Sequence, residues 1–156
     1  MTATFPTGTI LGYPRIGRDR ELKRAVESHW RGGLDEAALE QVAADLRRTT
    51  RARLIELGLD ASDSSVPESF SFYDQVLDAA LTVGALPARF ADPRAADGGI
   101  PLAAYFAAAR GEGDRAPLEM TKWFDTNYHY LVPEIGPETD FSLASDRFVA
   151  QVAEAA

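Results

Sequence analysis

The sequence predicts an α/β chain, and three observations carry that reading. Apolar residues recur at helical spacing in several stretches, each stopped by glycine or proline. Short extended stretches punctuate those helices near residues 7–11, just before Asp74, and within 118–132. Strand-like and helical stretches therefore alternate along the chain, as they do in α/β proteins.

The elements follow in order. Thr7 to Leu11, in "TGTILGYPRIG", reads as a strand entering a Gly-Tyr-Pro turn. "RDRELKRAVESHWRGG" reads as a helix with Asp19 as N-cap and Gly32-Gly33 as the stop. Leu22, Val26 and Trp30 share its apolar face, and Arg20, Lys23, Arg24, Glu27 and Arg31 lie largely opposite. A second helix is predicted from Glu36 to Leu57, capped by Asp35, stapled by Leu34 and ended by Gly58. Its apolar stripe is Leu39, Val42, Leu46 and Leu54. Residues 59–67 read as a loop.

"ESFSFYDQVLDAALTVG" starts extended and turns helical near Asp74, ending at Gly84. A turn-rich connector follows, then a helix in "IPLAAYFAAARG" closed by Gly111. Part of Leu118 to Val132 reads as strand, from its alternation and aromatic content. "ASDRFVAQVAEAA" opens like a helix capped by Ser145 or Asp146. A closed eight-stranded α/β barrel takes about 250 residues. Two or three strands in 156 residues would make only part of one.

Hydrophobic residues make up 46% of the chain, enough for a core in one domain spanning 1–156. The net charge is −8, which disfavours nucleic acid and anionic membranes as partners. There is no cysteine, so disulfides, thiolate zinc sites and a cysteine nucleophile are excluded from this chain. No apolar run is long enough for a membrane span, and the start does not read as a signal peptide. The expectation is a cytoplasmic protein.

The charge is uneven. Residues 1–33 carry six basic and three acidic side chains, a net of +3 in an acidic protein, which suggests a local anion site. Only two of the sixteen basic residues are lysine, Lys23 and Lys122. Lysine is a compact point charge and arginine a planar fork, so the two are not equivalent at a tight site. Arg20 and Lys23 are three apart on the helix, and their heads can converge on one anion. Lys122 stands in "EMTKWFDTNYHYLVPE", between a methionine and a tryptophan, with Glu119 as a possible ion-pair partner. His129, in the same stretch, lacks a second ligand nearby and reads as a hydrogen-bonded structural histidine, not a metal ligand. His29 reads as a boundary residue beside Trp30. Tyr73-Asp74 and Asp125-Asn127 read as caps at strand ends, not acid–base pairs.

Three stretches carry a resemblance. "LGYPRIGRDRELKRAVESHW" (11–30), "FSFYDQVLDAAL" (70–81) and "EMTKWFDTNYHYLVPE" (119–134) resemble, in order, the opening of the cobalamin-independent methionine synthase family. The resemblance covers about Thr9 to Asp146. It implies an incomplete (β/α)8 barrel: the first strands and helices of the N-terminal barrel of a two-barrel enzyme, on its folate side. It implies transfer of a methyl group from 5-methyltetrahydropteroyl-triglutamate to homocysteine in methionine biosynthesis. It places a zinc ion and the catalytic acid in a C-terminal half outside this chain, so no catalytic or metal-binding residue is expected here. The family's folate-binding positions match Arg20, Glu21, Leu22 and Lys23, and also Lys122. The expected partners are that substrate and the remainder of the enzyme, and the chain alone is expected to lack methyl transfer. Phe148 departs from the family pattern, where proline is expected after "DR". The alternative is a stand-alone truncated homologue that grips the folate tail, or serves as an interaction module, without catalysis.

Overall fold

Five helices and one short hairpin account for the regular structure in a computed structural model that describes residues 8–59, 70–90 and 100–155. The described residues divide into two compact units. The first gathers those up to Phe72 with those from Phe148 on, and the second runs from Tyr73 to Arg147.

In the first unit, α1 spans Glu21–Trp30 and α2 spans Glu36–Glu56. The two pack on each other. Leu22, Ala25 and Val26 are buried on α1, and Leu39, Ala43 and Leu54 on α2. Trp30 is only half-buried, at the outer end of its stripe. The α2 boundary follows the sequence closely: the Asp35 carboxylate accepts a hydrogen bond from the Ala38 N–H at 2.8 Å. The α1 boundary does not. Asp19 is not its cap, because Arg20 occupies the cap position in a left-handed conformation, φ 62° and ψ 36°. The Asp19 N–H instead donates to Glu21 Oε2 at 3.0 Å. The approach to α1 is tied down by Arg15, whose Nε donates to the Ser71 carbonyl at 2.7 Å.

The last helix, α5 (Arg147–Ala155), is opened by Ser145, whose Oγ accepts from the Arg147 N–H at 3.3 Å. It is fastened to α2 by a fork from Arg47 to Glu154 Oε2, at 2.9 and 2.5 Å. The Arg47 guanidinium also lies 5.1 Å from the centre of the Phe70 ring. Phe70 in turn meets Phe72 edge to face at 5.4 Å.

The predicted first strand is not there: residues 8–11 are exposed and make no ladder. A strand needs a neighbour to take its N–H and C=O groups, and no described segment runs beside this one. Thr7, residues 60–69 and residues 91–99 lie outside the described residues. With them go the first residue of that strand, most of the predicted 59–67 loop and part of the connector.

In the second unit, α3 (Gln75–Thr82) starts where predicted, with the Asp74 carboxylate accepting from the Leu77 N–H at 2.7 Å. A single 3-10 turn, Ala88–Phe90, leads toward α4 (Leu102–Arg110). Seven of the nine α4 residues are buried. The Tyr105 hydroxyl accepts from the Tyr73 and Asp74 N–H groups at 3.0 and 3.1 Å, which fixes the entry to α3. Gly111 closes α4 with φ 77°, where a Cβ would stand 2.9 Å from the Arg115 carbonyl oxygen.

The aromatic stretch forms a hairpin of β1 (Met120–Lys122) and β2 (His129–Leu131). Its register is antiparallel: Met120 faces Leu131, Thr121 faces Tyr130 and Lys122 faces His129. Leu131 is 1% exposed, and β2 packs beside α3. Among the described residues these are the only two strands, so the structure shows a mixed helical chain with a small sheet.

The second unit also holds a two-pronged ion pair. Arg89 Nη1 and Nη2 donate to Glu134 Oε2 and Oε1 at 2.5 and 2.6 Å, while Arg89 lies 4.5 Å from the centre of the Phe90 ring. This hydrogen bonding, helped by the charge attraction, holds the Glu134 carboxyl below the usual carboxylate range against the opposing effect of burial. A carboxyl with a depressed folded-state value stabilises the fold above its unfolded value, and that stability is lost as pH falls through the folded one. Acid titration of Glu134→Gln should therefore lack a small low-pH component of destabilisation that the parent chain shows. Both side chains are partly exposed, so the component stays small. Identical acid-unfolding profiles for the two proteins would show that the pair contributes nothing.

Candidate functional site

The cationic cluster predicted at the start of α1 is built around a strained turn. The Arg20 N–H donates to the Gly17 carbonyl at 3.3 Å, and the Leu22 N–H to the Ile16 carbonyl at 3.2 Å. These bonds curl 16–20 tightly ahead of the helix and hold Arg20 in the left-handed region. A long-chain residue there is disfavoured by roughly 1–2 kcal/mol relative to its usual conformations. Gly17 suits the same turn, because its φ of 83° is strained for any residue with a side chain. Strain of this kind in a non-glycine residue gathers at functional sites.

The four residues of the α1 cluster do different things. Arg20 is exposed, and its side chain makes no ion pair among the described residues. Lys23 is half-exposed and reaches Glu27 Oε1 at 3.5 Å, one helical turn on. Glu21 spends an oxygen on the Asp19 N–H. Leu22 is 1% exposed, so its side chain is core, and its N–H is already spent on the Ile16 carbonyl.

Beside this turn runs a groove of about 1090 Å³ between the approach to α1 and the outer side of α2. Tyr13 and Pro14 form one lip, and Ala25, Val42 and Leu46 form the apolar floor. Arg18 also lines it, without an ion pair among the described residues. Val42 and Leu46, predicted as core, instead line this opening.

Lys122 lies in the second unit, at the outer end of β1, and is exposed. The expected pair with Glu119 does not form, and Lys122 has no ion-pair partner among the described residues. The reason is the pleat. Residues 119, 121 and 123 share one face of the strand, and 120 and 122 the other. The same alternation separates Lys122 from Trp123. Trp123 stacks edge to face on Tyr130 at 5.4 Å, on the Thr121 side, while Lys122 shares its face with Met120, His129 and Leu131. Lys122 and its sequence neighbour Trp123 therefore fall on opposite faces of the hairpin.

His129 is a second correction. It is exposed and has no hydrogen-bond partner among the described residues, so it is not a bonded structural histidine. His29 is the bonded one: its Nδ1 donates to the Leu34 carbonyl at 2.9 Å and closes the α1–α2 corner. Asp74 is a helix cap, as described above. No cluster of three or more His, Asp or Glu side chains able to hold a metal occurs among the described residues, and the chain has no cysteine.

Comparison with known proteins decides the family. The family model described as cobalamin-independent synthase, N-terminal domain, matches residues 7–156. The chain belongs to this family. The 5-methyltetrahydropteroyltriglutamate–homocysteine methyltransferase of Streptomyces avermitilis is 55% identical over 98% of the chain. Those of Mycolicibacterium paratuberculosis and Mycobacterium bovis are 54% and 56% identical over 99% and 96% of it. The chain spans only about 19% of the length of each of these relatives. In this synthase-family chain the α1 cluster and the hairpin lysine are both exposed cationic features. Each is set on a locally constrained backbone: the strained turn at Arg20 and the paired strand at Lys122. No described helix is long and apolar enough to cross a membrane.

Proposed function

We propose that this chain is the N-terminal, folate-side segment of an enzyme that moves a methyl group from 5-methyltetrahydropteroyl-triglutamate to homocysteine. Its own share is to grip the substrate's glutamate tail through Arg20 and Lys23 at the head of α1, and through Lys122 on the hairpin. The observation that carries the reading is Arg20. An arginine held in the left-handed region, exposed and without an ion pair among the described residues, stands one turn from a half-exposed lysine. A triglutamate tail carries several carboxylates, and hydrogen bonds between ionised partners are its natural grip. Arginine supplies a two-pronged hold and lysine a point charge. The backbone of Glu21 and Leu22 at the helix start adds partial positive charge.

Family membership and the order of helices support assigning this segment to the first part of a (β/α)8 barrel. Methyl transfer itself belongs to residues outside this chain, and so does the zinc that the family reading implies.

Calorimetric titration of the chain with the triglutamyl and monoglutamyl forms of 5-methyltetrahydrofolate tests the proposal. The triglutamyl form should bind tighter by tenfold or more, with the advantage shrinking as salt rises, because exposed charges are screened. Equal binding of the two forms, or binding of neither, would overturn it.

A further inference from the structure

Lys122 and His129 stand directly opposite each other in the β1–β2 register. Directly opposed partners on one face of an antiparallel pair have Cβ atoms about 4.5–5.5 Å apart. The inner end of that face is anchored by buried Leu131, and its outer end, with both of these residues, is open to solvent. The chain has two lysines and two histidines, and one of each is paired here.

Neither side chain has a hydrogen-bond or ion-pair partner among the described residues, although the chain carries 24 acidic residues. The nearby acids are engaged or placed elsewhere. Glu119 has the parity of the opposite face. Glu134 is held by Arg89. On α3, which packs beside β2, Asp74 caps its own helix and Asp78 is buried. Asp125 lies in the connecting turn and makes no ion pair among the described residues. A lysine and an imidazole placed side by side without a carboxylate between them form a cradle for an anion from outside: three ammonium donors and one ring N–H across a single strand spacing.

We propose that His129 is a substrate-binding residue, joining Lys122 in one clasp that closes on a single carboxylate of the glutamate tail. This rests on the reading that Lys122 meets the tail, and it adds the second arm. The hairpin supplies the geometry: cross-strand pairing sets the spacing of the two heads, and the edge contact of Trp123 on Tyr130 stiffens the opposite face.

A double-mutant cycle decides it. Lys122→Ala, His129→Ala, His129→Gln and the double alanine variant are titrated with triglutamyl and monoglutamyl 5-methyltetrahydrofolate, with thermal melts as the control for folding. His129→Ala should weaken triglutamyl binding by about tenfold, the scale of one lost hydrogen bond to a charged group, and leave monoglutamyl binding unchanged. His129→Gln, which keeps an N–H donor, should recover most of the loss. The double variant should lose less than the product of the single losses, because both groups hold one carboxylate. A loss in Lys122→Ala with wild-type binding in His129→Ala overturns the clasp and leaves the lysine's role standing. Wild-type binding in Lys122→Ala overturns the underlying reading as well.

Discussion

Arg20→Gly combined with Lys23→Ala should weaken binding of triglutamyl 5-methyltetrahydrofolate by about a hundredfold, while binding of the monoglutamyl form changes far less. A hydrogen bond to a charged group is worth roughly 1.5–3 kcal/mol, and each 1.4 kcal/mol is about tenfold in affinity. Two such contacts would exceed a hundredfold if fully additive. Neighbouring cations on one anion are coupled, so the lower figure is expected.

Glycine is the right replacement at position 20. The φ of 62° that strains arginine is open to glycine, so Arg20→Gly removes the guanidinium without distorting the turn. Its melting temperature should stay the same or rise slightly. Lys23→Ala gives up only the half-exposed contact with Glu27, an i, i+4 pair worth about 0.3–0.5 kcal/mol. The fold should therefore survive both changes, and lost affinity reads directly on the ligand. Lys23→Arg keeps the charge and changes its geometry, and it should recover only part of the affinity. If the double variant binds both forms as the parent chain does, the cluster does not read the tail.

Phe90→Ala should have the largest effect on stability, about 3–5 kcal/mol, the range for truncating a fully buried aromatic ring. Phe90 is 0% exposed and sits at the end of the 3-10 turn that packs beside α4. Its loss leaves a cavity and also removes the ring under the Arg89 guanidinium. Small domains are stable by only about 5–15 kcal/mol, so the variant should unfold at a much lower urea concentration. Phe90→Leu refills most of the volume and should recover most of the loss. A midpoint for Phe90→Ala within experimental error of the parent would show that the turn is not part of the second unit's core.

Short-range chemistry was written in the sequence. Asp35 and Asp74 cap α2 and α3 because a carboxylate at that position reaches an N–H three residues on, whatever surrounds it. Gly111 ends α4 because a left-handed residue there leaves no room for a side chain. The apolar spacing of α1 and α2 named Leu22, Val26, Leu39 and Leu54, which are buried. The residue types of the candidate site, two lysines in an arginine-rich chain with Arg20 nearby, were visible in the same way.

What depends on distant partners was not written there. Residues 8–11 have the composition of a strand, but a strand exists only when another chain segment accepts its hydrogen bonds. Asp19 looks like a cap, yet the bonds from Arg20 and Leu22 back to Gly17 and Ile16 moved the helix start past it and left Arg20 with the strain. The side of the hairpin on which Lys122 falls is a matter of register, and a one-residue slip would turn every side chain to the other face. The pairing of Lys122 with His129, and the parting of Lys122 from Trp123 and Glu119, were therefore decided only when β1 met β2, because the sheet's two-residue alternation assigns faces only once the partner strand is in place.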